Sequence, residues 1–336
     1  MSTIQQVARI AGVSTATVSR ALSNPDLVTE ATRRKVQTAV EALRYSPNGA
    51  ARTLRTLRSG RLLVTVPDIA NPFFSLIIRG IEDAAHQAGY AVLLGDVGND
   101  EKREERHALV LQRKEAEGLI FLGARLPKSL RHLVGQRGTT APIVNGCEFS
   151  PRLGVPSVHI DNVAAAQDAM RHLYSLGHRR IGVITGPLDS PLSRQRLEGV
   201  NACAAAERAA RQLSVLQGDF SIASGLSAAR QLLAASEAPT AIFCFNDEMA
   251  IGVMDQARKQ GLRVPDDLSV VGFDDIRFSQ YLVPALTTVS QPMLQIGQET
   301  VRLMLEILRG TTRRPKSVTL PHKLMVRDST APPSLR

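Results

Sequence analysis

A chain of 336 residues is too long for one ordinary core and has room for two or three domains. Its 43% hydrophobic content excludes the disordered and fibrous classes. The formal net charge of +10 points to an anionic partner, and its distribution narrows the class: residues 1–60 hold nine basic side chains against three acidic ones, the concentrated footprint that nucleic-acid binders carry.

In chain order, Thr3 and Gln6 have the spacing of a capping box, which starts a helix at Ile4. Ile4, Val7, Ala8 and Ala11 form its inner face, and Gly12 supplies a turn. Ser14 caps a second helix, Thr15 to Leu22, with Val18, Ala21 and Leu22 inward. A third helix, about Glu30 to Arg44, closes the core with Val36, Val40 and Leu43. Helix, short glycine turn, helix is the helix-turn-helix arrangement, whose second helix enters the major groove. Outside its core lie Thr15, Ala16, Thr17, Ser19 and Arg20. Ser14 or Thr17 suits a phosphate near the helix N-terminus, and Arg20 is long enough to fork onto guanine. Each alone also reads as an ordinary cap or a solvated charge.

The texture changes near residue 60. Short β-branched runs at 62–66, 90–95, 118–123, 142–145, 157–160, 180–185, 240–245 and 268–273 alternate with helical stretches at about 75–88, 101–115, 162–176, 192–207, 222–235, 246–260 and 292–309. That rhythm means parallel sheets with helices on both faces, and the strand number fits two doubly wound lobes. Such sheets bind ligands beyond the carboxyl ends of their strands. Asp68, Asn71, Phe73, Phe74, Asn145, Asp161, Asn246, Asp274 and Asp275 stand at such ends, so a cleft between the lobes is expected.

Other classes find little support. No G-x-G-x-x-G, Walker loop or G-x-S-x-G occurs, and the seven histidines form no H-x-x-x-H pair, so neither enzymatic activity, a cofactor nor a metal is expected. Cys147, Cys203 and Cys244 lie far apart and read as buried, reduced thiols. The opening MSTIQQVARI shows no signal-peptide pattern, and no apolar run spans a bilayer; a cytoplasmic protein without a membrane partner is expected.

The segment TIQQVARIAGVSTATVSRALSNP, then YSPNGAARTLR, resembles the headpiece and hinge of the lactose-repressor family of bacterial regulators. The likeness continues through PDIANPFFSLIIRGIEDAA, GHRRIGVITGPLDSPLSRQRLEGV, FCFNDEMAIGV and GLRVPDDLSVVGFDDI, from Thr3 to about Asp328. It implies an α/β protein with an N-terminal helix-turn-helix headpiece (1–46), a hinge helix and linker (47–60), and a two-lobed core like that of periplasmic binding proteins (61–336). Lobe one takes about 61–160 and 291–318, lobe two about 161–290 and 319–330.

By matched position, the resemblance makes Thr15, Ala16 and Arg20 base readers and Thr17 a further DNA contact. It makes residues 47–55 a hinge that orders in the minor groove, with Asn48, Arg52, Leu54 and Arg55 on DNA. Nine residues including Gly49 form only a marginal helix alone, so DNA and a dimer partner are needed. Leu54 reads as a wedge at a base step or as a packing residue; the resemblance favours the wedge. Ligand contacts fall on Phe73, Phe74, Arg196, Phe220, Asn246 and Asp274, of which the two phenylalanines also read as core and Asp274 as a cap of the following turn. Aromatic faces with Arg and Asp suit a sugar ring or a base; the resemblance makes a nucleoside the first expectation and ribose or another sugar the second. Ser190 and Leu192 replace the arginine and threonine of purine-responding relatives, which disfavours a free purine base. The implied function is a repressor of transcription on double-stranded operator DNA. With RDSTAPPSLR lacking heptads, a homodimer on a palindromic operator is expected.

Overall fold

The computed structural model describes residues 2–45, 58–134, 141–149, 153–311 and 316–334. Contacts divide the chain into two units, Met1–Ser59 and Gly60–Arg336.

The first unit is helical: α1 (Ile4–Ala11), α2 (Thr15–Ser23) and α3 (Glu30–Leu43). The capping box forms, with the Gln6 N–H donating to Thr3 Oγ1 (3.3 Å) and the Thr3 N–H to Gln6 Oε1 (2.8 Å). Gly12 ends α1 at φ 64°, a left-handed conformation that glycine adopts without a Cβ penalty. Ser14 Oγ accepts from the Thr17 N–H at 3.1 Å and so fixes where α2 begins. Val7, Ala8, Ala11, Val18, Ala21, Val36 and Ala39 form the buried centre, with Ile4, Leu22, Val40 and Leu43 partly buried around it. Ala39 is the inward residue that the apolar spacing passed over.

The second unit holds two six-stranded sheets. Its strands are β1 (Arg61–Val66), β2 (Ala91–Asp96), β3 (Gly118–Phe121), β4 (Ile143–Gly146), β5 (Ser157–Ile160), β6 (Ile181–Thr185), β7 (Leu213–Gln217), β8 (Ala241–Cys244), β9 (Ser269–Asp274), β10 (Thr287–Ser290), β11 (Val318–Leu320) and β12 (Lys323–Met325). Helices α4 (Pro72–Gln87), α5 (Glu101–Gln112), α6 (Asn162–Ser175), α7 (Pro191–Ala206), α8 (Ile222–Leu233), α9 (Asp247–Lys259) and α10 (Met293–Arg309) alternate with them. Sheet one runs β11-β5-β4-β3-β1-β2, and its pairings are parallel. Sheet two runs β12-β10-β9-β8-β6-β7, parallel except for β12 against β10.

Alternation along the strands shows why both faces of sheet one are covered. Leu62, Val64, Val66 and Ile120 pack with Ile77, Ile81 and Val301 of α4 and α10. Leu63, Leu119 and Phe121 point the other way, onto Ala108 of α5 and Leu130. Helices α4 and α10 approach backbone to backbone: a Cβ on Gly80 would lie 2.2 Å from the Leu294 carbonyl oxygen, and one on Gly297 2.2 Å from that of Ile77. In sheet two, β6, β8 and β9 are buried at every residue.

The chain passes between the lobes after β5, after β10 and after β11. The cysteines are free and buried. No helix among the described residues is long and apolar enough to cross a membrane.

Candidate functional site

The headpiece presents α2 with Thr15, Ala16 and Arg20 exposed and Val18 and Ala21 holding it to the core. Thr17 is half-buried, and its hydroxyl lies 2.9 Å from that of Ser14. The cap hydroxyls therefore fix the first turn of α2 while its small side chains leave the helix backbone approachable. Asn48, Arg52, Leu54 and Arg55 lie outside the described residues, as does the rest of 46–57.

In the second unit a cavity of about 840 Å³ is lined by residues of both sheets. The six expected ligand residues, Phe73, Phe74, Arg196, Phe220, Asn246 and Asp274, all reach it. So do Asp68 and Asn71. Three other strand-end candidates do not. Asn145 is buried and donates to the carbonyls of Phe121 and Gly123 (both 3.0 Å), Asp161 caps α6, and Asp275 pairs with Arg327 at 2.7 Å.

Arg196, from α7, is 3% exposed. Its Nε donates to Asn162 Oδ1 (2.9 Å), its Nη1 to the Phe245 carbonyl, and its carbon centre stacks 3.5 Å from the Phe273 ring centroid. Nη2 stands 3.9 Å from Asp274 Oδ1, which also accepts from Gln291 Nε2 at 2.7 Å. Burial pushes the Asp274 carboxyl up to about 8, against the pull of Arg196, and lowers the guanidinium to about 10. A loose pair of this kind leaves space for a ligand hydroxyl to bridge cation and carboxylate.

The backbone around the cavity is strained in the same place. Cys147, Phe220 and Asp274 adopt φ of 63°, 72° and 112°, conformations that side-chain-bearing residues adopt at a cost of order 1–3 kcal/mol. Phe220 is held there because its carbonyl accepts from Asn246 Nδ2 (2.8 Å), and its ring lies against Gly186, where a Cβ would be 2.0 Å away. Asn246 also caps α9 through Met249 N–H at 3.0 Å. Asp247, fully buried, accepts from Ile276 N–H (2.9 Å), Ser279 Oγ (2.6 Å) and the Thr288 hydroxyl, and thereby ties α9 to the loop after β9. Burial raises its pKa to about 6.

The sequence reading passed over two cavity features. Glu148, just after β4, is 6% exposed and accepts from Ser190 Oγ at 3.3 Å, while its Oε2 has no hydrogen-bond partner. Burial raises it to about 7, with Arg196, Ser190, the Leu192 N–H and Arg194 pulling it down. The strand-end rule that picks out Asn145 extends to Glu148 three residues later. Glu104 and Arg125, paired at 3.1 and 2.9 Å, also line the cavity; a helix face and a loop separated by 21 positions carry no local signal of meeting.

A helix-turn-helix unit on one chain with a two-lobed, cleft-bearing α/β core defines the effector-binding class of DNA-binding transcription regulators. Residues 3–48 match the model of bacterial regulatory proteins of the lacI family, and residues 170–330 that of a periplasmic binding protein-like domain. The chain is 42% identical to the HTH-type transcriptional repressor CytR of Escherichia coli (strain K12), over 98% of this chain and 96% of that protein. It is 36% identical to catabolite control protein A of Priestia megaterium, over 98% and 99%. Among solved structures, the lac repressor dimer bound to operator and the anti-inducer ONPF superposes with a TM-score of 0.87 at 30% identity, covering 98% of this chain and 99% of that one. The chain belongs to the lacI family of bacterial regulatory proteins.

Proposed function

We propose that the protein is a cytoplasmic repressor that binds a palindromic operator as a homodimer and alters its grip on DNA when a small effector enters the cleft. The observation that carries this reading is one chain that joins the capped, outward-facing α2 to a cavity of about 840 Å³ built from two lobes. In the proposed arrangement residues 1–46 are the reading head, 47–60 the hinge and 61–336 the effector and dimer core. Thr15, Ala16 and Arg20 read base edges, and Thr17 joins them on the DNA. Asn48, Arg52, Leu54 and Arg55 engage the minor groove, with Leu54 as wedge.

Phe73, Phe74, Arg196, Phe220, Asn246 and Asp274 hold the effector. Stacking faces beside a guanidinium–carboxylate pair fit a furanose ring carrying a base, so a nucleoside is the first assignment and ribose or another sugar the second. The relation to CytR and to a lac repressor bound to operator supports this division of labour. Effector binding reorients the lobes, changes the spacing of the paired hinges, and so shifts hinge order on DNA.

Selection of genomic fragments by the purified full-length protein, followed by a thermal-shift screen of nucleosides and pentoses, tests the reading. Enrichment of a two-fold symmetric site, and modulation of its binding by a compound that shifts the melting temperature, is the expected result. Equal retention of all fragments with every compound contradicts it. A receptor or doubly wound enzyme without a DNA role is the alternative, and it predicts ligand binding with no fragment preference.

A further inference from the structure

Three residues that each stand immediately before a strand meet at one end of sheet one. Gly60 precedes β1, Tyr90 precedes β2 and Glu117 precedes β3, and the order β3-β1-β2 puts Gly60 between the other two. The Gly60 N–H donates to Glu117 Oε1 at 2.7 Å, and the Tyr90 hydroxyl donates to Glu117 Oε2 at 3.3 Å. The Gly60 carbonyl accepts from the Ala91 N–H at 2.9 Å, and the Glu117 N–H donates to the Arg61 carbonyl at 2.8 Å. Tyr90 also packs against the apolar cluster of β1, α4 and α10. The cavity residues Asp68 and Gly123 follow β1 and β3, so this bracket closes the opposite end of the same parallel strands.

Gly60 is the first residue of the core unit and adopts φ 66°. Nothing lies within 4 Å of where its Cβ would stand. A glycine so placed, left unsupported, is a swivel, because it populates positive and negative φ about equally well. Its N–H is therefore the group through which the chain arriving from the hinge segment is made to follow sheet one. The acceptor is a side-chain carboxylate, and such charge-assisted hydrogen bonds are roughly twice as strong as neutral ones.

We propose that Glu117 is a positioning residue of the effector response: braced by Tyr90, it locks Gly60 to the base of sheet one, so that a reorientation of lobe one passes rigidly into residues 47–59. The proposal rests on the relay from effector to hinge proposed above and assigns the joint through which it acts. Without the carboxylate the lobes still close on the effector, but Gly60 absorbs the rotation. Effector affinity is then kept, the DNA-reading residues are untouched, and the factor that links the two sites is lost.

The test measures operator affinity of the full-length protein, on the fragment it selects, with and without an excess of cytidine, adenosine or ribose. The parent is expected to shift by about 5–150-fold with at least one of them. Glu117→Ala is expected to shift by less than about threefold, with effector affinity off the DNA kept within about twofold of the parent. Glu117→Gln keeps an oxygen for the Gly60 N–H and is expected to retain most of the parent's shift. Glu115→Ala removes an exposed carboxylate two residues earlier and is expected to change nothing, which separates the joint from the loss of one charge. Hydrogen exchange at the Gly60 amide, followed by mass spectrometry without operator or effector, is expected to quicken in Glu117→Ala and not in Glu117→Gln.

A parent that responds while Glu117→Ala responds equally overturns the proposal and leaves the relay standing. A response lost equally in Glu115→Ala, or lost together with effector affinity, also overturns it. A parent that responds to none of the three compounds removes the relay and this joint with it. Should Glu117→Ala not fold by circular dichroism, Tyr90→Phe, which unbraces the carboxylate, takes its place; a smaller shift supports the proposal and an unchanged one refutes it.

Discussion

Replacing Arg196 by lysine tests whether this side chain is a planar fork built into the wall of the cleft. The guanidinium serves the Asn162 oxygen, the Phe245 carbonyl and Asp274 at once, while its face stacks on Phe273. A lysine ammonium is a point donor on a flexible stem and leaves at least one of those buried acceptors without a partner. An unpaired buried acceptor costs about 1–3 kcal/mol, and the lost stacking on Phe273 adds roughly 1 kcal/mol. The expected destabilisation of the core is therefore about 2–4 kcal/mol, with Arg196→Ala at about 3–5 kcal/mol because it leaves a buried carboxyl without its cation. Urea unfolding of the full-length protein, followed by circular dichroism, reads this as a lower midpoint with an unchanged slope. Arg196→Lys within about 0.5 kcal/mol of the parent, the scale of an ordinary surface change, refutes the reasoning.

Other substitutions probe separate parts of the chain. Ser14→Ala removes the cap on α2 and is expected to destabilise the headpiece by about 1 kcal/mol, read as weaker operator binding with unaltered effector affinity; unchanged operator binding contradicts it. Gly199→Ala would place a Cβ 2.3 Å from the Val163 carbonyl oxygen where α7 crosses α6. A loss of about 1–3 kcal/mol in thermal or urea unfolding is expected, and a neutral result shows that the crossing can open. Between pH 6.5 and 8.5 the folded protein gives up protons on Glu148 (about 7) and Asp274 (about 8) that the unfolded chain has already released at lower pH. The sign is then fixed: stability falls as pH rises through that window. The ligand-free melting temperature is expected to drop by a few degrees, less so in Asp274→Asn, and a rise contradicts the assignment.

The headpiece was legible because its signals are local. Thr3 with Gln6, Gly12, and Ser14 at their fixed offsets place the ends of α1 and the start of α2, and all appear as hydrogen bonds or backbone angles. The eight apolar runs after residue 60 all appear as strands, most of them because burial on both faces writes a continuous apolar string; β2 is the exception, a half-exposed edge strand that its apolar run alone made legible. Strands β7, β10, β11 and β12 were not anticipated. β7 is an edge strand with little buried surface, and β10 to β12 are three or four residues long; their pairing is decided by neighbours distant in sequence.

The cavity was legible in the same uneven way. Phe73, Phe74, Arg196, Phe220, Asn246 and Asp274 were placed by matched position and converge on it. Glu148 follows the apolar run at 142–145 in a stretch without helical or strand periodicity, so nothing local marks it. Its significance arises only when Ser190, 42 positions later, comes within 3.3 Å. Asp247 stands in a helix first turn, where an acidic residue is ordinary, yet it is the buried acceptor that anchors the loop beside Asp274.

The most direct measurement is the affinity of the effector for the free protein and for the protein on its operator, each by calorimetry, with operator affinity measured in the absence and presence of saturating effector. Because linkage is reciprocal, both comparisons must give one and the same factor, expected at about 5–150-fold for a coupling of roughly 1–3 kcal/mol. Equal effector affinity on and off the operator would mean that the cleft and the reading head share a chain without sharing a mechanism.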